Sequence, residues 1–444
     1  MTGRVLGFLG ALLVGATAGW ALLAPLASSF GFVSSDGQLQ AVATSRSIAA
    51  AIGMVLAAAV AGSLARRGAG ARSAWVTATL GLVLVAAAGL TNEHVRQIEW
   101  SIAANYLSGI GAGLALGGVA AVLGRRLGIR SGRAASAALA GGAFAAFLLA
   151  PSVAFGLDRG WGWGTGGRVN FGWTGYAPLT DADAIVTAPP WWLLLPALAC
   201  AIAAATIGRG EVAEPSTRGV AATVVVVVTA LATNAAIGVA PDNWALAAPL
   251  LAVFALAVGA AAFALDGRDG RLVLTTTAVV ATAAPLLGGT DTNALGIVII
   301  AASLAAGVTV GVRFPKFVVG LALLAAINTF GLLPDFDDGM RDAVRWLALA
   351  PIAGYALGSC VPVRGGAAVA GLSVLFVPSA LTVAGQSAES DWFGASSVFT
   401  ELPRGLLSAP PADPKALSLA AALVAGAAVV AAVRLGRRPA NPTS

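Results

Sequence analysis

The sequence is short of charge, histidine, lysine and cysteine, and each shortage closes off a class of function. Charged residues make up 10% of the 444-residue chain, whereas a soluble domain carries roughly a quarter. A single histidine, His94, stands in a short polar stretch, so a metal centre is not expected. Cys200 and Cys360 fall in separate apolar runs with no Cys-x-x-Cys spacing, which excludes a disulfide framework and a zinc site. No Walker loop, Rossmann fingerprint or nucleophile–base set is present, so neither an enzyme nor a cofactor is expected. The pI of about 10.1 raises nucleic acid as a partner. The basic residues are scattered through short loops without interleaved aromatics, however, and topology explains them better. Lysine occurs only at Lys316 and Lys415, beside an excess of arginine, alanine, glycine and valine. That usage is associated with GC-rich bacterial genomes.

What the sequence has is apolar length. Hydrophobic residues reach 58% and mean hydropathy is +0.86. Runs of about 20 apolar residues, the thickness of a bilayer core, recur along the whole chain. The reading is an all-α polytopic membrane protein. The breakers predict fourteen spans, at 4–26, 38–64, 74–91, 101–123, 134–155, 190–208, 219–240, 244–265, 272–288, 293–312, 317–333, 343–359, 366–384 and 416–433. The first run lacks a small-residue cleavage site and is expected to be a retained helix. With the N-terminus inside, 18 of the 26 basic residues fall in inner loops. The positive-inside rule therefore favours both termini in the cytoplasm of a bacterial inner membrane. Twelve spans would give the same orientation.

Two long outer loops, 156–189 and 385–415, each follow a span entered from a basic inner turn. Aligning them pairs "YLSGIGAGLALGG" with "LAPIAGYALGS", and spans 1–6 with spans 9–14. This gives two six-helix bundles with an inserted pair between them. The divisions are 1–208 for the first bundle, 209–271 for the inserted pair with its flanking loops, 272–434 for the second bundle, and a tail at 435–444.

The stretch "GSLARRGAGARSAW" between spans 2 and 3 resembles the glycine-rich basic turn of the major facilitator superfamily. Gly62, Arg67 and Arg72 match that turn, and Arg66 stands where the family places an aspartate of its cytoplasmic gate. The cadences of "YLSGIGAGLAL" and "RRLGIRSGRAASAALAGGAFAAFLLAP" resemble its fourth and fifth spans, and the topology resembles its fourteen-helix, drug-exporter-type branch. The resemblance implies a transporter with a central cavity between two bundles. Departures concern the coupling chemistry. Asn105 stands where proton-driven members carry an arginine, and the Gly-Pro step of span 5 is reduced to Ala150-Pro151. No Asp, Glu or His falls well inside a predicted span, so proton antiport of the familiar kind is not expected.

Arg46 is the charge left inside a span. Counted from Gln38 it lies about 12 Å deep at 1.5 Å per residue. A cation there costs about 2.5–3.5 kcal/mol on insertion scales unless it is paired or solvated. One reading is a cavity-facing guanidinium that holds an anionic group bidentately. The other has it snorkel to headgroups or pair with Asp36. Asn105 and Tyr106 in span 4, Asn328 in span 11 and Asn234 in span 7 are further polar candidates, against the plainer role of interhelical hydrogen bonding.

The first long loop concentrates Trp161, Trp163, Trp173 and Tyr176, as an interfacial belt or as a cap that binds a headgroup, glycan or partner. Asp181 and Asp183 resemble the metal-phosphosugar sites of membrane glycosyltransferases, and "PDFDDGMRD" reads as a solvated acidic loop. Three functions follow in order of fit. The first is a carrier of an amphipathic or anionic solute, such as a lipid-linked envelope precursor. The second is a non-transporting scaffold with an envelope-assembly partner. The third is a membrane glycosyltransferase.

Overall fold

The computed structural model describes residues 2–23, 36–94, 98–123, 129–156, 189–207, 212, 216–239, 244–265, 267–283, 294–332, 338–361, 364–389 and 414–436. Among these residues there are fourteen α-helices and no strand. They are α1 (Thr2–Leu23), α2 (Asp36–Arg66), α3 (Ala71–His94), α4 (Ile98–Leu123), α5 (Ile129–Gly156), α6 (Trp191–Ile207) and α7 (Thr217–Val239). The chain continues with α8 (Trp244–Ala264), α9 (Gly267–Ala283), α10 (Ala294–Arg313), α11 (Phe317–Phe330), α12 (Asp338–Cys360), α13 (Gly365–Glu389) and α14 (Pro414–Gly436). Each predicted span has its helix. Helices α5, α9 and α12 each begin earlier than hydropathy placed them.

A helix is the only way an isolated apolar segment satisfies its backbone in lipid, and the buried hydroxyls obey the same economy. Thr17, Thr223, Thr276 and Thr282 each donate to the carbonyl four residues back in their own helix. Stretches of α1, α2, α3, α4 and α7 are long and apolar enough to cross a bilayer. Large apolar side chains such as Leu256, Leu423, Trp192 and Val298 point outward, the pattern of a multi-pass membrane protein whose outer face meets acyl chains.

The packing repeats. Helix α4 lies against α2 and α3, and α1 against α5, α4 and α6. The same contacts recur when α9–α14 replace α1–α6 in order, with α12 against α10, α11 and α9, and α9 against α13 and α14. These are two six-helix bundles of one design. The repeat is sharpest where backbones touch. Gly109, Gly113 and Gly117 of α4 press on Ala49, Gly53 and Ala57 of α2, four residues further along both helices at each rung. In the second bundle Gly354 and Gly358 of α12 press on Leu304 and Val308 of α10 with the same step. Lipid offers no hydrophobic drive between helices, so small residues that admit close backbone contact supply the association.

The bundles meet through α2, α4 and α1 against α13, and through α5 against α10, α12 and α13. Phe376 of α13 wedges between α1 and α5, with its Cζ 2.8 Å from where a Cβ on Gly19 would stand. A void of only about 10 Å³ remains there, lined by Leu139 and Phe144 of α5, Leu272 and Thr276 of α9, Leu357 of α12 and Leu372 of α13, among others. The inserted pair lies to one side. Helix α7 packs on both α13 and α2, across the line where the two bundles join, and α8 packs chiefly on α7 and α9.

Candidate functional site

A cluster of polar side chains that reach between helices lies where α1 ends and α2 and α4 run side by side. Arg46 of α2 is buried, 2% exposed, and its Nη2 donates to the carbonyl oxygen of Ala21 at 2.6 Å. Ala21 lies in the last turn of α1, whose final carbonyls have no intrahelical donor. A cation at this end also meets the negative pole of the helix dipole. Ser108 of α4 donates to the same oxygen at 3.4 Å, and Asn105 Nδ2 donates to Ser45 Oγ at 3.1 Å. Ser45, Asn105 and Ser108 are buried. The Arg46 Nε is also buried and has no acceptor. No carboxylate among the described residues pairs with this guanidinium. Arg46 and Ser108 thus share one carbonyl acceptor, and the Arg46 Nε is left as a buried donor without an acceptor among the described residues.

The other sequence candidates disperse. Tyr106 is half-buried beside the cluster without a hydrogen bond to it. Asn328 is buried in the second bundle, where its Nδ2 donates to Thr282 Oγ1 at 2.9 Å and to the Leu324 carbonyl at 3.1 Å. It ties α11 to α9 and does not join Arg46. The side-chain oxygen of Asn234 is buried on α7 with no donor. Trp161, Trp163, Trp173 and Tyr176, together with Asp181 and Asp183, lie outside the described residues. The side chain of Asp36, offered as a partner for Arg46, also lies outside them.

The basic turn is a helix stop. Gly68 has φ +59°, Gly68 N–H donates to the Ala65 carbonyl and Ala69 N–H to the Leu64 carbonyl. This is a Schellman cap, which needs a residue that tolerates the left-handed region. Arg66, Arg67 and Arg72 are exposed, with no ion pair among the described residues. Gly62 is buried against Val220 of α7, and Val212 N–H donates to the Ala69 carbonyl. The turn thus docks on the inserted pair.

Three residues escaped the sequence reading. Asp269, assigned to an inner loop, is in the first turn of α9 and 7% exposed. Its Oδ1 accepts the backbone N–H of Arg364 at 3.1 Å, placing a carboxylate at the N-terminus of α13, where the helix dipole favours it. Arg345, inside the predicted span 343–359 but not singled out there, is buried in α12, as is its neighbour Trp346. The earlier start of each helix is what hydropathy could not see, because the charged residues themselves lowered the window score.

No protein-family profile matches the chain, and no curated protein matches it. Solved structures with similar folds include the inward-open xylose transporter XylE from E. coli, at 13% identity and TM-score 0.49 over 99% of this chain and 97% of that one. A bacterial homologue of the human drug peptide transporters PepT1 and PepT2 matches at 15% and 0.48, over 98% and 99%. The human organic anion transporter MFSD10 matches at 16% and 0.47, over 95% and 98%. The architecture of this chain is two like bundles of six helices with a pair of helices packed beside them.

Proposed function

We propose that this chain is a membrane carrier that moves or binds an amphipathic, anionic solute, with Arg46 as the group that holds its charge. A lipid-linked envelope precursor in a bacterial inner membrane fits that description. The observation that carries the reading is the buried Arg46 guanidinium, which among the described residues has one carbonyl partner, a spare Nε donor and no carboxylate beside it. Arg46 is the buried charge of the first bundle among the described residues, kept where charge is costly, and an anion would offset that cost. Two quasi-equivalent bundles meeting across an apolar interface suit alternating access by rocking. The divisions 1–208, 209–271 and 272–434, with both termini cytoplasmic, are part of the same proposal.

A scaffold role is the rival, favoured by the close packing of α13 on α1, α2, α4 and α5 across the two bundles. Native mass spectrometry of the wild-type protein and Arg46→Ala separates the two. A stoichiometric anionic lipid or lipid-linked species that the substitution removes supports the carrier. A stoichiometric protein partner, with no difference in bound lipid, supports the scaffold. Electron–electron spin distances between labels at Arg66 and Lys316, one in each bundle, add a second test. Two populations fit a rocking carrier, and one fixed distance under every condition does not.

A further inference from the structure

The repeated glycines give the two bundles a common register. Eight residues before Gly113 of α4 stands Asn105, and eight before Gly354 of α12 stands Trp346. The facing helices step back equally, from Gly53 to Ser45 on α2 and from Leu304 to Gly296 on α10. Asn105 and Trp346 therefore hold equivalent places at the end of the molecule opposite the basic turns. Their surroundings differ. In the first bundle this rung is a closed polar pair, with Asn105 donating to Ser45. In the second bundle the opposite residue is a glycine, which offers no side-chain acceptor.

Trp346 is 6% exposed, and its Nε1–H is buried with no hydrogen bond among the described residues. A buried donor left unpaired costs free energy that a phenylalanine ring in the same space would not incur. Its placement adds to this. Trp346, Ala350, Ala353 and Leu357 share one face of α12, three turns long, and Leu357 lines the void between the bundles. The indole thus stands on the central face of α12, outward of the contact that closes the interface.

We propose that Trp346 is a ligand-facing residue of the second bundle, its indole N–H donating to an acceptor oxygen of the solute. The inference rests on the carrier reading above and deepens it. The solute then meets donors from both halves, a guanidinium from α2 and an indole from α12, and its apolar part lies along the ring. This suits a phosphate-type oxygen on an apolar body, from a lipid headgroup or from a free anion.

The test uses the full-length protein, labelled with ¹⁵N-tryptophan, in maltoside micelles. Dodecyl phosphate is titrated in one arm and inorganic phosphate in the other. The Trp346 indole resonance is identified as the one missing from Trp346→Phe. A saturable downfield shift of that resonance with dodecyl phosphate is expected, along with affinity about five- to tenfold weaker in Trp346→Phe. The melting temperature of that variant is expected to stay at or above the wild-type value. The same shift with inorganic phosphate supports the donor role and assigns a free anion as the ligand. Wild-type affinity in Trp346→Phe, or an unmoved resonance on saturation, overturns the inference and leaves the carrier reading intact. No binding of either probe by the wild-type protein overturns both. Should Trp346→Phe fail to fold, the resonance shift decides from the wild-type protein alone, with the signal assigned by a Trp346→Tyr variant.

Discussion

Arg46 and Ala21, twenty-five positions apart in the chain, are joined by a 2.6 Å hydrogen bond from Nη2 to the carbonyl oxygen at the end of α1. The bond closes the helix terminus and fixes the guanidinium. It does not neutralise it, because a carbonyl is a dipole and the Nε remains without an acceptor.

Two effects of opposite sign therefore meet at Arg46. A hydrogen bond to a charged group contributes about 1.5–3 kcal/mol, and taking an unpaired charge out of water costs several kcal/mol. The penalty is the larger, and Ser108 still reaches the Ala21 oxygen when the arginine is gone. Arg46→Met is expected to melt at or above the wild-type temperature in detergent while losing its bound anion. A loss of about 2 kcal/mol or more would make Arg46 a structural cap and sink the binding role.

The glycine rungs make a sharper structural prediction. A Cβ on Gly113 would overlap the Gly53 carbonyl, whereas one on Gly259 of α8 or Gly426 of α14 meets nothing within 4 Å. Gly113→Ala is expected to destabilise by about 1–3 kcal/mol through overpacking. Gly259→Ala and Gly426→Ala should be neutral or slightly stabilising, since alanine is the better helix former. Thermal unfolding of the three variants measures the contrast, and equal behaviour would mean that α2 and α4 are not in backbone contact.

At the N-terminus of α13, Asp269→Asn keeps an acceptor for the Arg364 N–H and removes the charge. Asp269→Ala removes both. Dipole complementarity contributes about 0.3–1 kcal/mol, up to about 2 when partly buried, and loss of a cap costs about 0.5–2 kcal/mol. The alanine variant should therefore be the less stable of the two. The reverse order, read by chemical or thermal unfolding, would show that the carboxylate is tolerated there and not used.

Asn328 and Thr282 form one interhelical bond in the second bundle. A double-mutant cycle with alanine at each position should return a coupling of about 0.6 kcal/mol, and no more than about 1.7. Neither variant should alter dodecyl phosphate binding. A change in that affinity would return Asn328 to the ligand site.

How much of this was legible follows from what hydropathy measures. It integrates over a window, so it found every span, and the glycine pattern of "YLSGIGAGLALGG" against "LAPIAGYALGS" even found the register of the repeat. It says little about faces, because helices such as α4 and α8 are apolar all round and carry no stripe to orient them. That is why Asn328 could be grouped with Arg46 although α9 and α11 hold it in the other bundle. Charged and polar residues at helix starts, Asp269 among them, lowered the local average and were counted as loop, and Arg345 passed as an ordinary member of its span. Only the packing shows that they are buried. The basic turn raised the question of a gate; the structure answers that its glycine stops a helix and its arginines face outward.

Helix α7 lies over one of the two lines along which the bundles touch, the one between α2 and α13, with its Gly219 in backbone contact with Gly366 of α13. The line between α5 and α10, where Val308 Cγ2 comes within 3.7 Å of a Cβ placed on Gly141, has no such cover among the described helices. The repeat makes the two halves alike, yet the inserted pair makes the two flanks of the molecule unlike. In the carrier proposed above, rocking would have to shear α7 against α2 or α13 on one flank, while the other would be free to part. The hinge is lopsided by construction, and a solute travelling through the bilayer plane would find a door on one side and a wall on the other.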